Sequence, residues 1–204
     1  MVRKGAGLSG NVDRILDAML ELISTRGPEA LSIRNVAAAA GVSVGAVQHH
    51  FSTKDKLLQA AMNAVEQRFM VRIRELIRDD ASPESRLRSF CIEIAGLGSD
   101  DTTEVVVWTV FAARAAVDDG IRALHVAAWG RTELFLRGLI EAALSDVSDA
   151  ETEATTADSA AFLLAVLDGI AVSRAAERSA RISQERGIRI LDHALRAIDI
   201  SPTT

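Results

Sequence analysis

Apolar side chains recur at intervals of three or four residues along most of this 204-residue chain, as Ile15, Met19 and Ile23 do. That spacing places them on one face of an α-helix, which buries its apolar stripe against neighbouring helices. No segment alternates apolar and polar residues between turn signals, as a half-buried β-strand would. The pattern therefore predicts an all-α fold with about nine helices. The three prolines stand where such helices could begin or end: Pro28, Pro83 and Pro202.

Residues that start and stop helices divide the chain further. Gly27 followed by Pro28 ends the first helix, and Ser52 with Asp55 three residues later fits a capping box for the fourth. A polar, acidic stretch over residues 145–156 is expected to form a mobile linker before the last two helices. The expected helices cover residues 11–26, 33–40, 44–50, 53–78, 83–97, 103–117, 121–144, 157–178 and 184–198.

Composition and charge exclude several classes of protein. The longest uninterrupted apolar run covers residues 160–167, far short of the roughly 18 residues that a membrane span needs. The single cysteine, Cys91, allows no internal disulfide, and no cluster of Cys and His has the spacing of metal ligands. We therefore expect a soluble, cytoplasmic protein with no membrane contact, no metal and no other cofactor. The net charge is +2 over residues 1–56 and −7 over the rest of the chain. A polyanion is therefore repelled by the C-terminal part but not by the N-terminal part.

Two short helices joined by a tight turn are predicted over residues 32–51, and their spacing is typical of a helix-turn-helix. Ala37 is small where the helix axes must cross closely, and Gly41 suits a turn that needs a positive φ angle. Val47 is apolar where the second helix must bury its inner face, and Ser32 and Ser43 can cap the two helices. The outer face of the second helix has no long apolar side chain to cover, so it could enter a major groove.

This geometry alone leaves DNA binding open, because short helical hairpins with a central glycine occur in many all-α proteins. The stretch from Leu31 to Leu58, LSIRNVAAAAGVSVGAVQHHFSTKDKLL, nevertheless resembles the DNA-binding signature of the tetracycline-repressor (TetR) family of transcriptional regulators. The resemblance implies a repressor whose N-terminal domain, residues 9–56, binds a palindromic operator in double-stranded DNA as a homodimer. It also implies that residues 57–204 form a helical domain that dimerises and binds a small-molecule effector, which releases the DNA.

Carried onto this chain, the resemblance assigns DNA contacts to the helix-turn-helix and its surroundings. The residues expected to hold phosphates are Ser32, Arg34, Ser43, His50 and Lys54. Val44 and Ala46, on either side of Gly45, could contact thymine methyl groups, and His49 is a polar candidate for base edges. Gln48 stands where the family often has a phosphate-contacting tyrosine, so it could bind either a phosphate or an adenine edge. Arg3 and Lys4 could reach a minor groove or a phosphate.

Aromatic and polar residues of the middle helices are candidates for an effector pocket. Apolar walls with a few polar groups describe most small-ligand sites, although the same residues could form plain core. Asp168 would suit a cationic ligand as its counter-ion, but the sequence does not place it near either tryptophan. The expected ligand-binding residues are Phe90, Ile94, Trp108, Phe111, Arg114, His125 and Trp129.

The apolar helix expected over residues 157–178 is the candidate dimer interface. Ala161, Ala165 and Gly169 allow another helix to approach closely, and Leu164 is too apolar for a solvated position. An all-α enzyme and a protein-interaction module without DNA affinity remain alternatives. The chain has no Glu-x-x-His motif, no Gly-x-Ser-x-Gly motif and no glycine-rich phosphate loop, so no catalytic residue is expected.

Overall fold

The computed structural model describes residues 6–76, 82–144, 150–177 and 181–199, and within these ranges the chain is helical and has no strand. This confirms the all-α prediction. The nine helices of the described ranges are α1 (Ala6–Arg26), α2 (Ile33–Ala40), α3 (Val44–His50), α4 (Lys54–Leu76), α5 (Pro83–Ile94), α6 (Thr103–Ala115), α7 (Asp119–Ala143), α8 (Ala150–Glu177) and α9 (Gln184–Ala197). A short 3-10 turn, Pro28–Ala30, follows α1.

Besides shifts of one to three residues at other ends, such as α5 ending at Ile94 rather than at residue 97, three helix starts differ from the sequence-based prediction. α1 begins five residues earlier, at Ala6 rather than at residue 11. α4 is capped by Thr53, whose hydroxyl accepts a hydrogen bond from the Lys56 N–H at 3.2 Å, so Ser52 is not its cap. α8 already begins at Ala150, which corrects the predicted linker, because the alanines and glutamates of residues 150–154 favour helix. The predicted positions 77–78, 145–149 and 178, like Arg3 and Lys4, lie outside the described residues.

One compact unit comprises residues 1–68 together with residues 106–122. In its N-terminal part α1 packs against α2, and α2 packs against α3. Each helix turns its apolar stripe inward, so that the side chains of Ile15, Met19, Val36, Val47 and Leu57 are fully buried. This packing leaves the opposite faces of α2 and α3 in solvent.

The second compact unit comprises residues 69–105 and 123–204. Its apolar core is formed where α5, α8 and α9 pack together, with a contribution from α7. The fully buried side chains at its centre are Leu87, Phe90, Leu136, Leu163, Leu167 and Leu191. The division between the units crosses α4 after Arg68, whereas the boundary predicted from the sequence, between residues 56 and 57, stays a prediction.

Within the described residues, one stretch of helix is long and apolar enough to cross a membrane by length and composition alone. It covers Thr155–Glu177 of α8, with a mean hydropathy of 1.5 over its best window. The apolar residues responsible include Leu163, Leu167 and Ile170, which belong to the core of the second unit. Part of the hydropathy of α8 is therefore explained by core packing, and one such helix does not by itself indicate a membrane protein.

Candidate DNA-binding surface and effector region

The helix-turn-helix is built by the local signals that its sequence contains. The hydroxyl of Ser32 accepts a hydrogen bond from the Asn35 N–H at 3.2 Å, and that of Ser43 accepts one from the Ala46 N–H at 3.1 Å. Both serines are therefore N-caps, as predicted, and each hydroxyl keeps its own proton to donate. Gly41 ends α2 in the left-handed conformation, with φ 62° and ψ 39°, which also confirms the prediction.

Arg14 of α1 fixes the turn between α2 and α3, a role that the sequence did not reveal. Its Nη2 donates to the carbonyl oxygen of Ala40 at 2.6 Å and to that of Gly41 at 3.1 Å. Carbonyl groups at the end of a helix lack partners within the helix and attract positive charge. Arg14 therefore satisfies the end of α2 and attaches α1 to the turn that positions α3.

The ten residues of the helix-turn-helix region that the resemblance assigned to DNA are all at least partly exposed. Val47 is fully buried on the inner face of α3, so the opposite side of this helix faces solvent. Ser32 and Ala46 are half-buried. The remaining members are exposed: Arg34, Ser43, Val44, Gly45, Gln48, His49, His50 and Lys54. A short helix with a solvated face of small, polar and imidazole side chains has the geometry for docking in a major groove.

Lys54, at the first position of α4, has an ion-pair partner that the sequence did not suggest. Its Nζ lies 3.2 Å from Oε2 of Glu29 in the 3-10 turn, and the two side chains are 48% and 90% exposed. Exposed pairs of this kind contribute only about 0–1 kcal/mol, so a phosphate can replace the carboxylate. The pair with Glu29 therefore leaves Lys54 able to exchange its partner.

Farther along α4, Arg72 joins this helix to α5 and α6. Its Nε donates to Oε1 of Glu93, and its Nη2 donates to Oε2 of Glu104 at 2.6 Å. The two carboxylates are mostly buried, with side chains 14% and 22% exposed. Within the second unit, one guanidinium therefore connects the end of α4 to α5 and to the first turn of α6, because Glu93 lies on α5 and Glu104 on α6.

The residues predicted to bind a ligand are divided between the two units. Phe90 belongs to the core of the second unit, where its ring packs against those of Phe69 and Phe135, at centroid distances of 5.8 Å and 5.1 Å. Ile94 is half-buried beside that core. Trp108, Phe111 and Arg114 belong to the first unit, in which Phe111 is fully buried.

Arg114 corrects one part of the pocket prediction. Its side chain is 53% exposed and pairs with Asp118 at 3.2 Å, so it is a surface residue and not a polar group within an apolar interior. Asp118 lies in the turn between α6 and α7, so the pair joins the last turn of α6 to the start of the next helix.

The structure does bring His125, Trp129 and Asp168 together in the second unit. The rings of His125 and Trp129 meet edge to face with centroids 6.2 Å apart. Burial lowers the pKa of His125, and the charge of Asp168 on α8 partly opposes this shift. Burial raises the pKa of Asp168, and His125 opposes that shift in turn. The sequence could not place Asp168 near a tryptophan; the fold places it beside the imidazole that contacts Trp129.

Comparison with known proteins identifies the family. Residues 15–61 match the family described as "Bacterial regulatory proteins, tetR family", and residues 83–199 match "BetI-type transcriptional repressor, C-terminal". The HTH-type transcriptional regulator PksA of Bacillus subtilis (strain 168) is 30% identical over 192 residues, which cover 93% of this chain and 90% of PksA. The chain belongs to the TetR family. This TetR-family protein is a ligand-responsive, DNA-binding transcriptional regulator.

Solved structures agree with this assignment. A transcriptional regulator from Rhodococcus sp. Rha1 matches with a TM-score of 0.75 and 29% identity, covering 92% of this chain and 95% of that one. A regulator from Saccharomonospora viridis, solved in complex with choline, matches with a TM-score of 0.77 and 19% identity, over 92% and 96% of the two chains. The second likeness shows that the two proteins share a fold.

The candidate dimer face of this TetR-family protein is a stripe of small residues on α8. Ala161, Ala165 and Gly169 are exposed, four residues apart, so they lie on one face of the helix. Leu164 is different: it is buried in the core of its own chain, so its side chain is not presented to a second chain. The exposed stripe is thus narrower than the predicted interface.

Two observations bear on chemistry other than DNA binding. Burial raises the pKa of the Cys91 thiol to about 12, so this cysteine is not a ready thiolate nucleophile. Among the residues that the structure describes, no three side chains of His, Cys, Asp or Glu come together as metal ligands do. The family and the similar proteins are transcriptional regulators, which are typically not enzymes.

Proposed function

We propose that this regulator is a homodimer that represses transcription by binding a palindromic operator and that a small-molecule effector releases it. Its DNA-binding domain would be residues 9–56 and its effector and dimerisation domain residues 57–204. The observation that carries the proposal is the exposed outer face of α3, capped by Ser43 and held in place by Arg14. A soluble regulator of this kind would work in the cytoplasm, where its DNA is.

On this surface, phosphate contacts would come from Ser32, Arg34, Ser43, His50 and Lys54, and sequence would be read by α3. The hydroxyl protons of the two capping serines, which their caps leave available, support the phosphate role. The methyl groups of Val44 and Ala46 suit contact with thymine, and the amide of Gln48 can bind adenine through two hydrogen bonds. His49 stands beside Gln48 as the other polar group able to meet a base edge.

Selection from random duplexes, followed by binding assays on two variants, tests these assignments. We expect Gln48→Ala to change which sequences bind best, because a bidentate base contact contributes about 1–3 kcal/mol of discrimination. We expect Lys54→Ala to weaken binding to all sequences alike. It should also reduce the slope of log affinity against log salt concentration by the contribution of about one phosphate contact. A protein-interaction module would instead show no sequence preference, and that result would refute the proposal.

Homodimerisation through α8 is supported by the exposed stripe of Ala161, Ala165 and Gly169. Two recognition helices must lie about 34–36 Å apart, or a multiple of that distance, to enter successive major grooves, so a second chain is required. A side chain added at Gly169 would meet nothing within 4 Å in its own chain. We therefore expect Gly169→Arg to fold normally and to sediment as a monomer.

A matched variant is available on α7, where Gly130 is also exposed and also has nothing within 4 Å of an added Cβ. Gly130→Arg adds the same charge and the same bulk to a different helix. We expect it to remain dimeric in analytical ultracentrifugation and to keep operator affinity. The opposite pattern, a monomeric Gly130→Arg protein beside a dimeric Gly169→Arg protein, would move the interface to α7.

The effector would bind in the second unit and act on DNA binding through α4. Arg72 supports this route, because it joins α4 to α5 and to the first turn of α6. A ligand that binds better when these helices are displaced would increase the population of molecules in which α4 is displaced. The helix-turn-helix precedes α4 in the chain and would be displaced with it. The choline complex of the neighbour from Saccharomonospora viridis supports a small-molecule ligand on this fold. The assay is operator binding by this protein with and without candidate ligands, recorded together with tryptophan fluorescence; a fluorescence change without loss of DNA binding would count against the route.

A further inference from the structure

The most unusual side chain of the second unit is Arg174 of α8. It is only 2% exposed and is the largest fully buried side chain within the described residues. Arg174 follows Leu167 by seven residues and Ile170 by four, so it lies on the face of α8 that the core leucines and isoleucines occupy. A residue that keeps a positive charge therefore occupies a position where the helix otherwise carries apolar side chains.

The guanidinium of Arg174 is not compensated by the residues that the structure describes. Its Nη2 donates to the carbonyl oxygen of Ser99 at 3.5 Å, the outer limit of a hydrogen bond. Within the same described part of the chain, its Nε and Nη1 have no acceptor although both atoms are buried. An arginine in a low-dielectric interior without a carboxylate is strongly unfavourable, so such groups are retained where something else binds them.

Other arginines of the second unit have carboxylate partners, which Arg174 lacks among the described residues. Arg72 has two carboxylates, Arg88 pairs with Asp192 at 2.8 Å, and Arg137 pairs with Glu141 at 2.8 Å. Asp168, the half-buried acid of α8, is six residues from Arg174 and so lies about 120° around the helix from it. The titratable group that interacts with Asp168 is His125.

We propose that Arg174 binds the carboxylate of the effector, an inference that rests on the regulatory function proposed above. The planar fork of a guanidinium matches a carboxylate through two parallel N–H bonds, which Nη2 forms together with either Nε or Nη1. Within the described ranges Nε and Nη1 have no acceptor, and the Ser99 carbonyl at 3.5 Å takes only one of the two Nη2 hydrogens, so one complete fork is available. Leu167 and Ile170 lie on the same buried face of α8 and belong to the apolar core, so the surroundings of a carboxylate at Arg174 are apolar and favour a ligand with a hydrocarbon portion. The class of effector is thus an organic acid with a hydrocarbon portion.

The contact with Ser99 gives this carboxylate a way to affect the fold. Ser99 lies between α5 and α6, in the same connection whose Leu97 carbonyl accepts a hydrogen bond from Gln184 Nε2 at 2.7 Å. A ligand that draws Arg174 away from Ser99 would loosen one of the polar attachments of this connection. The connection leads into Thr103 and Glu104, and Glu104 is a partner of Arg72 on α4.

Calorimetric titration of the full-length protein at constant ionic strength tests the proposal, with sodium octanoate as the probe. We expect octanoate to bind wild-type protein, and 1-octanol and choline chloride to bind at least tenfold more weakly. Arg174→Met, which keeps the length and removes the charge, should weaken octanoate by about 10- to 100-fold because a charge-assisted hydrogen-bonded pair is lost. Arg137→Met, which removes an arginine that already has a carboxylate, should bind octanoate as wild type does.

Arg174→Lys is the second variant, should the methionine variant fail to fold. This variant keeps the positive charge but loses the two parallel N–H donors of the guanidinium. Octanoate should therefore bind less tightly than to wild type, and choline should bind no more tightly than to wild type. Equal affinity for octanoate in wild-type and Arg174→Met proteins, or tighter binding of choline than of octanoate, would overturn the proposal. Inorganic phosphate binding as tightly as octanoate would overturn the apolar part of the assignment.

Operator binding measured on the same samples separates this inference from the regulatory function. Octanoate that binds through Arg174 and weakens operator binding supports both. A protein that binds its operator but not octanoate keeps the regulatory function and refutes the role of Arg174. A protein that binds octanoate through Arg174 without any change in operator affinity refutes Arg174 as an effector contact.

Discussion

Replacing Glu29 by glutamine should tighten DNA binding, because this carboxylate now neutralises the lysine that we assign to a phosphate. The Nζ of Lys54 lies 3.2 Å from Oε2 of Glu29, and at 48% and 90% exposure the pair contributes about 0–1 kcal/mol that DNA must replace. A phosphate that binds Lys54 would then lie about 6 Å from the carboxylate, a repulsion of about 0.7 kcal/mol in water before screening. With the repulsion roughly halved by screening at physiological salt, these terms together predict about two- to tenfold higher affinity for Glu29→Gln.

Fluorescence anisotropy with labelled duplex DNA measures this gain, and no operator is needed, because a phosphate contact is independent of sequence. The gain should shrink as salt is raised, and Lys54→Ala in the Glu29→Gln background should abolish it. Glu21→Gln is the matched control, since it removes the same charge from an exposed position elsewhere in the first unit. An equal gain in Glu21→Gln would show that net charge alone is responsible. Equal affinities of Glu29→Gln with and without Lys54 would refute the phosphate contact.

Three further predictions concern stability and protonation. Gly41→Ala should destabilise the protein by about 1–2 kcal/mol in urea unfolding, because residue 41 has a positive φ and an added Cβ would lie 3.2 Å from Nη2 of Arg14. Arg72→Met should cost about 1–2 kcal/mol in the same assay, and in a double-mutant cycle with Glu104→Gln the two losses should not add. Because burial lowers the pKa of His125, the unfolded chain binds a proton at this residue at a higher pH than the folded protein does, so the free energy of unfolding should decrease as the pH falls below about 6.5. Asp168→Asn should lower the pKa of His125 further in an NMR titration, and a higher pKa would contradict the interaction.

The DNA-binding surface could be predicted from the sequence because its determinants are local. Ser32 and Ser43 each bond the backbone N–H three residues ahead, and Gly41 is the residue that accepts the φ of the turn most easily. Val47 follows the helical period of its own short segment. Each feature depends on neighbours within a few positions, so a single sequence is enough to place it. The exposure of the α3 face then follows from the burial of Val47.

The polar contacts that organise the rest of the molecule could not be predicted in the same way. Arg14 meets the end of α2 across 26 residues, Arg72 meets Glu104 across 32, and Arg174 meets Ser99 across 75. In the sequence each of them is one of many arginines on amphipathic helices, where a solvated surface position is the usual outcome. Arg114, which the sequence analysis placed in a pocket, has that outcome. Only the packing of whole helices decides between the two environments.

The same contacts explain how α4 could move without loss of the fold. Arg68 pairs with Asp17 of α1, and one turn later Arg72 pairs with Glu93 and Glu104. Because both arginines are more than a third exposed, each can exchange a carboxylate for another partner or for water and so lose only part of that contact, whereas withdrawing a single core leucine from its neighbours costs about 1.5–3 kcal/mol. A displacement that only re-pairs charges along α4 is therefore much less costly than one that opens an apolar core. An effector that binds one arrangement about tenfold better than the other, a difference of roughly 1.4 kcal/mol, shifts the equilibrium between the two arrangements about tenfold. The arginines of α4 thus make this helix the element on which a modest ligand preference can act.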